Sequence, residues 1–186
     1  MGLEFLFLLS LAVFLPVVSA AFAFAFWRKA RAQRSVAATW ARYAAGTGAR
    51  YEAPAGEWPS VSSPVVIGTC AAGPFRLELL GTHGDTRTQL TLRREPVRLG
   101  EIVLRAREGV VTERPAGFGE NLRARDFQRV FQAFALHPET ELRYVRGAVE
   151  LEWPGGEMSG ARLEEAKALA SDAALTLCPS AQRSGT

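Results

Sequence analysis

The residues with the clearest chemical potential in this chain are two histidines, two cysteines and a few carboxylates. His83-Gly84-Asp85 has the residue types of an acid–base pair, but no nucleophile or second carboxylate is placed beside it. Gly and Asp also suit a hairpin turn, which accounts for the tripeptide more simply. His137 stands before Pro138 at an expected helix end, where a cation is favoured by the helix dipole. Cys70, His83, His137 and Cys178 are the residue types of a four-ligand zinc site, yet none of their spacings is that of a ligand pair. Neither cysteine belongs to a C-x-x-C pair, and two ordinary, partly buried thiols are the better reading.

Glycine-rich stretches fare no better as chemistry. In Gly117-Phe118-Gly119 the third glycine of a dinucleotide loop would fall on Leu122, and there is no P-loop lysine. The segment from Gly155 to Gly160 lacks the G-x-S-x-G order, and Ser159 serves better as a helix cap. Glu150 and Glu152 lie two apart on one strand, hence on one face, where solvent is the default partner. No catalytic residue, metal ligand or cofactor is assigned. Two tryptophans suit binding instead: Trp40, beside Arg31, Arg34 and Arg42, and Trp58, set in the loop Glu57-Trp58-Pro59 as a contact anchor.

The elements that must carry these residues begin with an uncharged run from Phe5 to Trp27, 23 residues long. As a helix it would reach about 34 Å, against about 30 Å for a hydrocarbon core. It ends in Trp27, Arg28 and Lys29, with Arg31 and Arg34 following, an aromatic and a cationic cluster suited to a membrane interface. The expectation is a single transmembrane helix over a 1–34 anchor segment, with membrane lipid as its partner. The cations behind the run place the C-terminal domain in the cytoplasm, at a bacterial inner membrane; a periplasmic domain is the alternative.

Charge follows the same division. The six basic residues between Phe5 and Tyr51 have no acid among them, which leaves 16 basic against 18 acidic residues from Glu52 onward. The domain therefore has no electrostatic footprint for nucleic acid.

A soluble α+β domain is expected over 35–178, and a disordered polar tail over 179–186. Ser35 to Ala45 has helical spacing and stops at Gly46 and Gly48, and Glu52 to Pro64 reads as a linker. Phe75 to Leu79 and Gln89 to Arg93 alternate as a hairpin, with shorter strands at 65–70, 101–105 and 110–113. Phe127, Val130, Phe131 and Phe134 mark a helix over 122–136, capped by Asn121. A two-residue turn at Arg146-Gly147 pairs Arg143 with Glu150 and gathers Leu142, Tyr144, Val149, Leu151 and Trp153 on one face. Ser159 caps a last helix over 160–177, whose inner stripe is Leu163, Ala166, Ala170, Ala173 and Leu177. The fold class is an antiparallel sheet with helices packed on one face, behind one transmembrane helix.

Trp40-Ala41-Arg42-Tyr43-Ala44, then Gly48, Tyr51, Ile67-Gly68 and Gly73, together with the Arg143 to Trp153 hairpin and the closing helix, resemble uncharacterised bacterial membrane-anchored proteins. That resemblance implies one or two N-terminal spans and a small α+β domain, and carries no catalytic residue with it. Arginine outnumbers lysine 20 to 2, as in a GC-rich bacterium. The functional expectation is a membrane-tethered, non-enzymatic domain that binds another protein or itself. The alternatives are an envelope-facing assembly or sensory domain, and an enzyme acting at the membrane.

Overall fold

Arg146 and Gly147 both take positive φ, 49° and 83°, the backbone that a two-residue turn between right-twisted strands requires. The computed structural model of the chain is built around this hairpin. It describes residues 2–56, 62–81, 86–95, 97–135 and 137–178, with side chains at 2–13, 29, 32 and 33 left aside. Two compact units result, Met1–Val36 and Ala37–Thr186.

The first unit lies within helix α1, Gly2–Thr47. Among the described residues no helix is long and apolar enough to cross a membrane, which overturns the single-pass transmembrane helix expected over Phe5 to Trp27. Helix α1 also takes in Arg28, Lys29, Arg31 and Arg34, so the uncharged run is one stretch of a helix of mixed character. With the span goes the basis for reading the domain as membrane-tethered.

The second unit begins with the last turns of α1, where Trp40, Tyr43 and Ala44 are buried as the spacing predicts. Eight strands follow: β1 Arg50–Glu52, β2 Val65–Cys70, β3 Gly73–Leu80, β4 Arg87–Arg93, β5 Glu101–Arg105, β6 Gly109–Arg114, β7 Glu141–Val145 and β8 Ala148–Pro154. They form one antiparallel sheet in the order β1-β2-β3-β4-β8-β7-β5-β6. Between β6 and β7 lie α2, Glu120–Ala124, and α3, Phe127–Phe134, and the chain closes on α4, Gly160–Leu177.

Alternation decides which face is covered. Phe75, Leu77, Leu79, Leu90, Leu92, Leu142, Tyr144, Val149 and Leu151 are buried, while Arg76, Arg93 and Arg143 between them are exposed. Helix α4 lies on β4 and β8, and the alanines of its buried stripe let it approach the sheet closely. Ser159 Oγ caps it, accepting from Arg162 N at 3.3 Å. The sheet and its one-sided helical layer agree with the expected α+β class, and β7 and β8 pair in the expected register, Arg143 opposite Glu150.

Three local expectations are corrected. Residues Arg50–Glu52 pair with β2, so a strand precedes what read as linker. The helix expected over 122–136 is two helices, broken at Asp126, which adopts left-handed φ of 52°. The apolar period runs only from Phe127, so nothing upstream ties the first turn to the second; Asp is among the few residues that tolerate this backbone. Asn121 does not cap it either, because α2 starts one residue earlier with Gly119 at its N-cap. Strand β6 lies where it was expected and carries a bulge opposite Val103 and Leu104, which leaves Val110 and Val111 both exposed.

Glu113 joins β6 to α2. The Arg123 guanidinium donates to both its carboxylate oxygens, and Gly119 N donates at 2.7 Å. The Arg123 hydrogen bond first, and the Gly119 backbone second, hold its carboxyl below the ordinary range. The unfolded chain therefore takes up a proton before the folded chain does, and stability falls as pH drops through the folded value. Replacing Glu113 with Gln is expected to lower stability at pH 7 and to shrink the loss seen between about pH 5 and about pH 3. Thermal unfolding across that range measures both effects. At the hairpin, a Cβ on Gly147 would meet Val97 Cγ2 at 2.8 Å. Gly147→Ala is expected to cost about 1–3 kcal/mol by urea unfolding.

Candidate functional site

Between β4 and β5 the described residues, 94, 95 and 97–100, are short of secondary structure but not of anchors. Helix α4 has no basic residue in its last turn, so its terminal carbonyls lack a cation from their own helix. Two arginines of this segment supply it. Arg94 Nε donates to Cys178 O at 2.6 Å and Nη1 to Ala72 O at 3.3 Å, and Arg98 Nη1 donates to Leu177 O at 3.2 Å. The backbone is fixed as firmly: Arg94 N donates to Gly147 O at 2.9 Å, and Arg98 N to Tyr144 Oη at 3.2 Å.

Tyr144 is the centre of this arrangement. It is fully buried on β7, and its Oη donates to Arg98 O at 2.8 Å. Its one proton is thereby used, so the Cys178 thiol, 3.0 Å away, is the donor in their contact. Burial first, then the Cys178 hydrogen bond, pushes the phenol up to about 12. The guanidinium of Arg98 sits over the Phe118 ring at 4.7 Å, and Phe118 packs on Tyr144 with ring centroids 5.3 Å apart.

So held, the segment turns two apolar side chains outward. Val97 is 52% exposed and Leu99 82%, the latter the most exposed of the large hydrophobic residues described. The backbone contacts thus fall on Arg94 and Arg98, while the side chains of Val97 and Leu99 stand in solvent.

A second feature is a partly open cavity of about 170 Å³ walled by Phe134, Trp153, His137 and Arg162. Its far wall, the segment after β8, is held by Thr88, whose Oγ1 donates to Gly155 O at 2.7 Å and accepts from Glu157 N at 3.0 Å. On the uncovered face of the sheet, Arg76, Glu78, Gln89, Thr91, Arg93 and Glu150 line a shallow groove. There Arg76 and Glu78 are paired at 3.0 Å.

The residues singled out in the sequence are placed as follows. Trp40 is 0% exposed and its Nε1 donates to Glu157 O at 3.0 Å, so it is a structural anchor within its unit. Trp58 and the His83-Gly84-Asp85 turn lie outside the described residues. On α1, Trp27 is exposed and stacked on Phe24, with Arg31 over its ring at 5.4 Å; Arg28 and Arg34 are exposed, and the Lys29 side chain is not described. Cys70 and Cys178 are free thiols. Among the described residues no three His, Cys, Asp or Glu side chains converge as a metal site would require. Sequence reasoning passed over residues 94–100, because apolar periodicity reports what a core buries. The one available signal was Val97-Arg98-Leu99, apolar residues flanking a charge directly before Gly100.

Removing the Tyr144 hydroxyl tests the anchoring. Tyr144→Phe leaves the ring in place but deprives Arg98 N and O of their partner, with an expected cost of about 1–3 kcal/mol. Amide exchange at residues 97–100 is expected to accelerate more than at the β7–β8 hairpin; equal protection loss across both would mean that the hydroxyl merely stabilises the whole domain.

No family model matches the chain, and no curated protein does. Among solved structures it is similar to the crystal structure of the mycobacterial trehalose monomycolate transport factor A, TtfA, with a TM-score of 0.56 and 13% identity. The match covers 78% of this chain and 97% of that one. At that identity the likeness shows a shared fold.

Proposed function

We propose that this chain is a non-enzymatic protein-binding domain, and that the surface it binds with is the one built around Leu99. The observation that supports this reading is the contrast within residues 94–100. Two arginine side chains, two backbone contacts and a buried tyrosine fix the segment, and the side chain at its tip is left 82% exposed. A core contact would bury Leu99, whereas the contacts that satisfy the end of α4 also hold this side chain out in solvent. The shared fold lends weight to an accessory role, since the protein it resembles bears the name of a transport factor. A corresponding part in a transport assembly is the finer form of the proposal.

Burial of Leu99 in a complex would contribute about 2 kcal/mol, so Leu99→Asp is expected to weaken association roughly thirtyfold. The domain's unfolding midpoint should stay where it is, because the side chain touches little. A photoreactive residue at position 99 of the full chain, in its native cells, is expected to give a discrete adduct that a probe at exposed Glu139 does not. The adduct's mass tells a second copy from a different protein. Identical adduct patterns at 99 and 139, or none at 99, would overturn the reading.

A further inference from the structure

At one end of the sheet the strands finish among arginines that lie far apart in the sequence. Arg93 closes β4, Arg94 and Arg98 follow it, Arg114 closes β6, and Arg146 opens the turn between β7 and β8. Strand pairing draws them together. Arg93 stands opposite Ala148, Ala148 opposite Val145, Val145 opposite Glu101 and Glu101 opposite Arg114, one row across five strands. At about 4.8 Å per strand, Arg93 and Arg114 end that row about 19 Å apart, with Arg146 beyond its middle. Val97 rests on the same turn, since a Cβ on Gly147 would meet its Cγ2 at 2.8 Å, and Leu99 stands two residues before Glu101.

Arg93, Arg114 and Arg146 are exposed, and none of their guanidinium groups has an ion-pair partner among the described residues. Against the arginines of this end stand Glu95 and Glu101, with Glu120 of α2 beyond. At the other end of the same strands the balance reverses: Arg87, Arg105 and Arg107 meet Glu108, Glu139, Glu141 and Glu152, and Arg87 and Arg105 are paired with Glu152 and Glu141. Unpaired cations therefore collect where Val97 and Leu99 are exposed, although charge over the whole domain nearly cancels. An apolar centre within a charged rim is the anatomy of a protein interface. Single-stranded nucleic acid asks for exposed rings on which bases stack, and the rings beside this segment, Phe118 and Tyr144, are buried. A bilayer surface takes up the apolar face of a helix, and two side chains on a non-helical segment are no such face.

We infer that the partner received at the Leu99 surface is an acidic protein segment with an apolar centre, its apolar side chains against Val97 and Leu99 and its carboxylates on Arg93, Arg114 and Arg146. About six residues of extended chain cover the distance from Arg93 to Arg114. The inference rests on the binding role proposed for that surface and adds the chemistry of what binds.

The probe is a hexapeptide, blocked at both ends, with two leucines between pairs of aspartates. On titration into the full-length chain it should shift the Leu99 methyl resonances and saturate. The same peptide with asparagine in place of aspartate should bind about tenfold more weakly. Arg114→Gln combined with Arg146→Gln should remove most of that difference and leave the asparagine peptide where it was. Equal binding of the two peptides at Leu99 would overturn the acidic partner while the binding surface stands. An unmoved Leu99 with both peptides would overturn the inference, and the adduct at position 99 then shows whether the surface itself fails. Undiminished binding of the aspartate peptide in the double variant overturns it too. So would phosphatidylglycerol vesicles or oligodeoxythymidylate that move Leu99 where the aspartate peptide does not. If the double variant does not fold, the comparison of peptides on the unaltered chain decides the matter alone.

Discussion

One pairing holds the domain together. The sheet has two parts, a meander of β1 to β4 and a three-stranded set in the order β7-β5-β6, and β8 joins them by lying between β4 and β7. Seven residue pairs make the junction with β4, from Arg87 opposite Pro154 to Arg93 opposite Ala148. Along it Leu90 faces Leu151 and Leu92 faces Val149, all buried beneath α4. The helix therefore covers the seam itself, and burial of its alanine stripe stabilises the contact between β4 and β8.

The arginines of residues 94–100 extend that logic to the end of α4. A helix that closes on a seam needs its last carbonyls satisfied, and here the donors come from a segment leaving the very strand the helix covers. Arg94 and Arg98 thus tie helix, hairpin turn and strand end into one unit. The outward display of Val97 and Leu99 is the by-product on which the binding reading rests. At the opposite end of α4, Trp40, Thr88 and Ser159 do the same for the segment after β8 that walls the aromatic cavity.

What the sequence made legible is local. The Arg146-Gly147 hairpin could be read to its register because turn type, apolar face and the Arg143–Glu150 pairing all agree. The bounds of α4 followed from Ser159 and a helical stripe that ran unbroken to Leu177. The insertion of β8 beside β4 was not legible, since alternation shows that a strand has a buried face but not which neighbour it takes. Strand β1 is too short at three residues to alternate, and the break at Asp126 is a backbone event in a residue that helices also accept. The site at Leu99 was hidden for a related reason: exposure leaves no periodic mark, and the arginines that hold the segment look like ordinary surface charges until α4 is seen to end between them.

The position of β8 also sets an order of events as the chain emerges from the ribosome. Strand β4 is complete at Arg93, but its partner begins only at Ala148, about 55 residues later. At roughly 5–20 residues per second, the first meander waits several seconds with that edge open. During this interval Thr88, Leu90 and Leu92 offer a free strand edge to any extended segment nearby. A nascent chain arrested before β8 would therefore be a substrate for chaperones or a seed for strand exchange, although the finished domain buries the same residues at its centre.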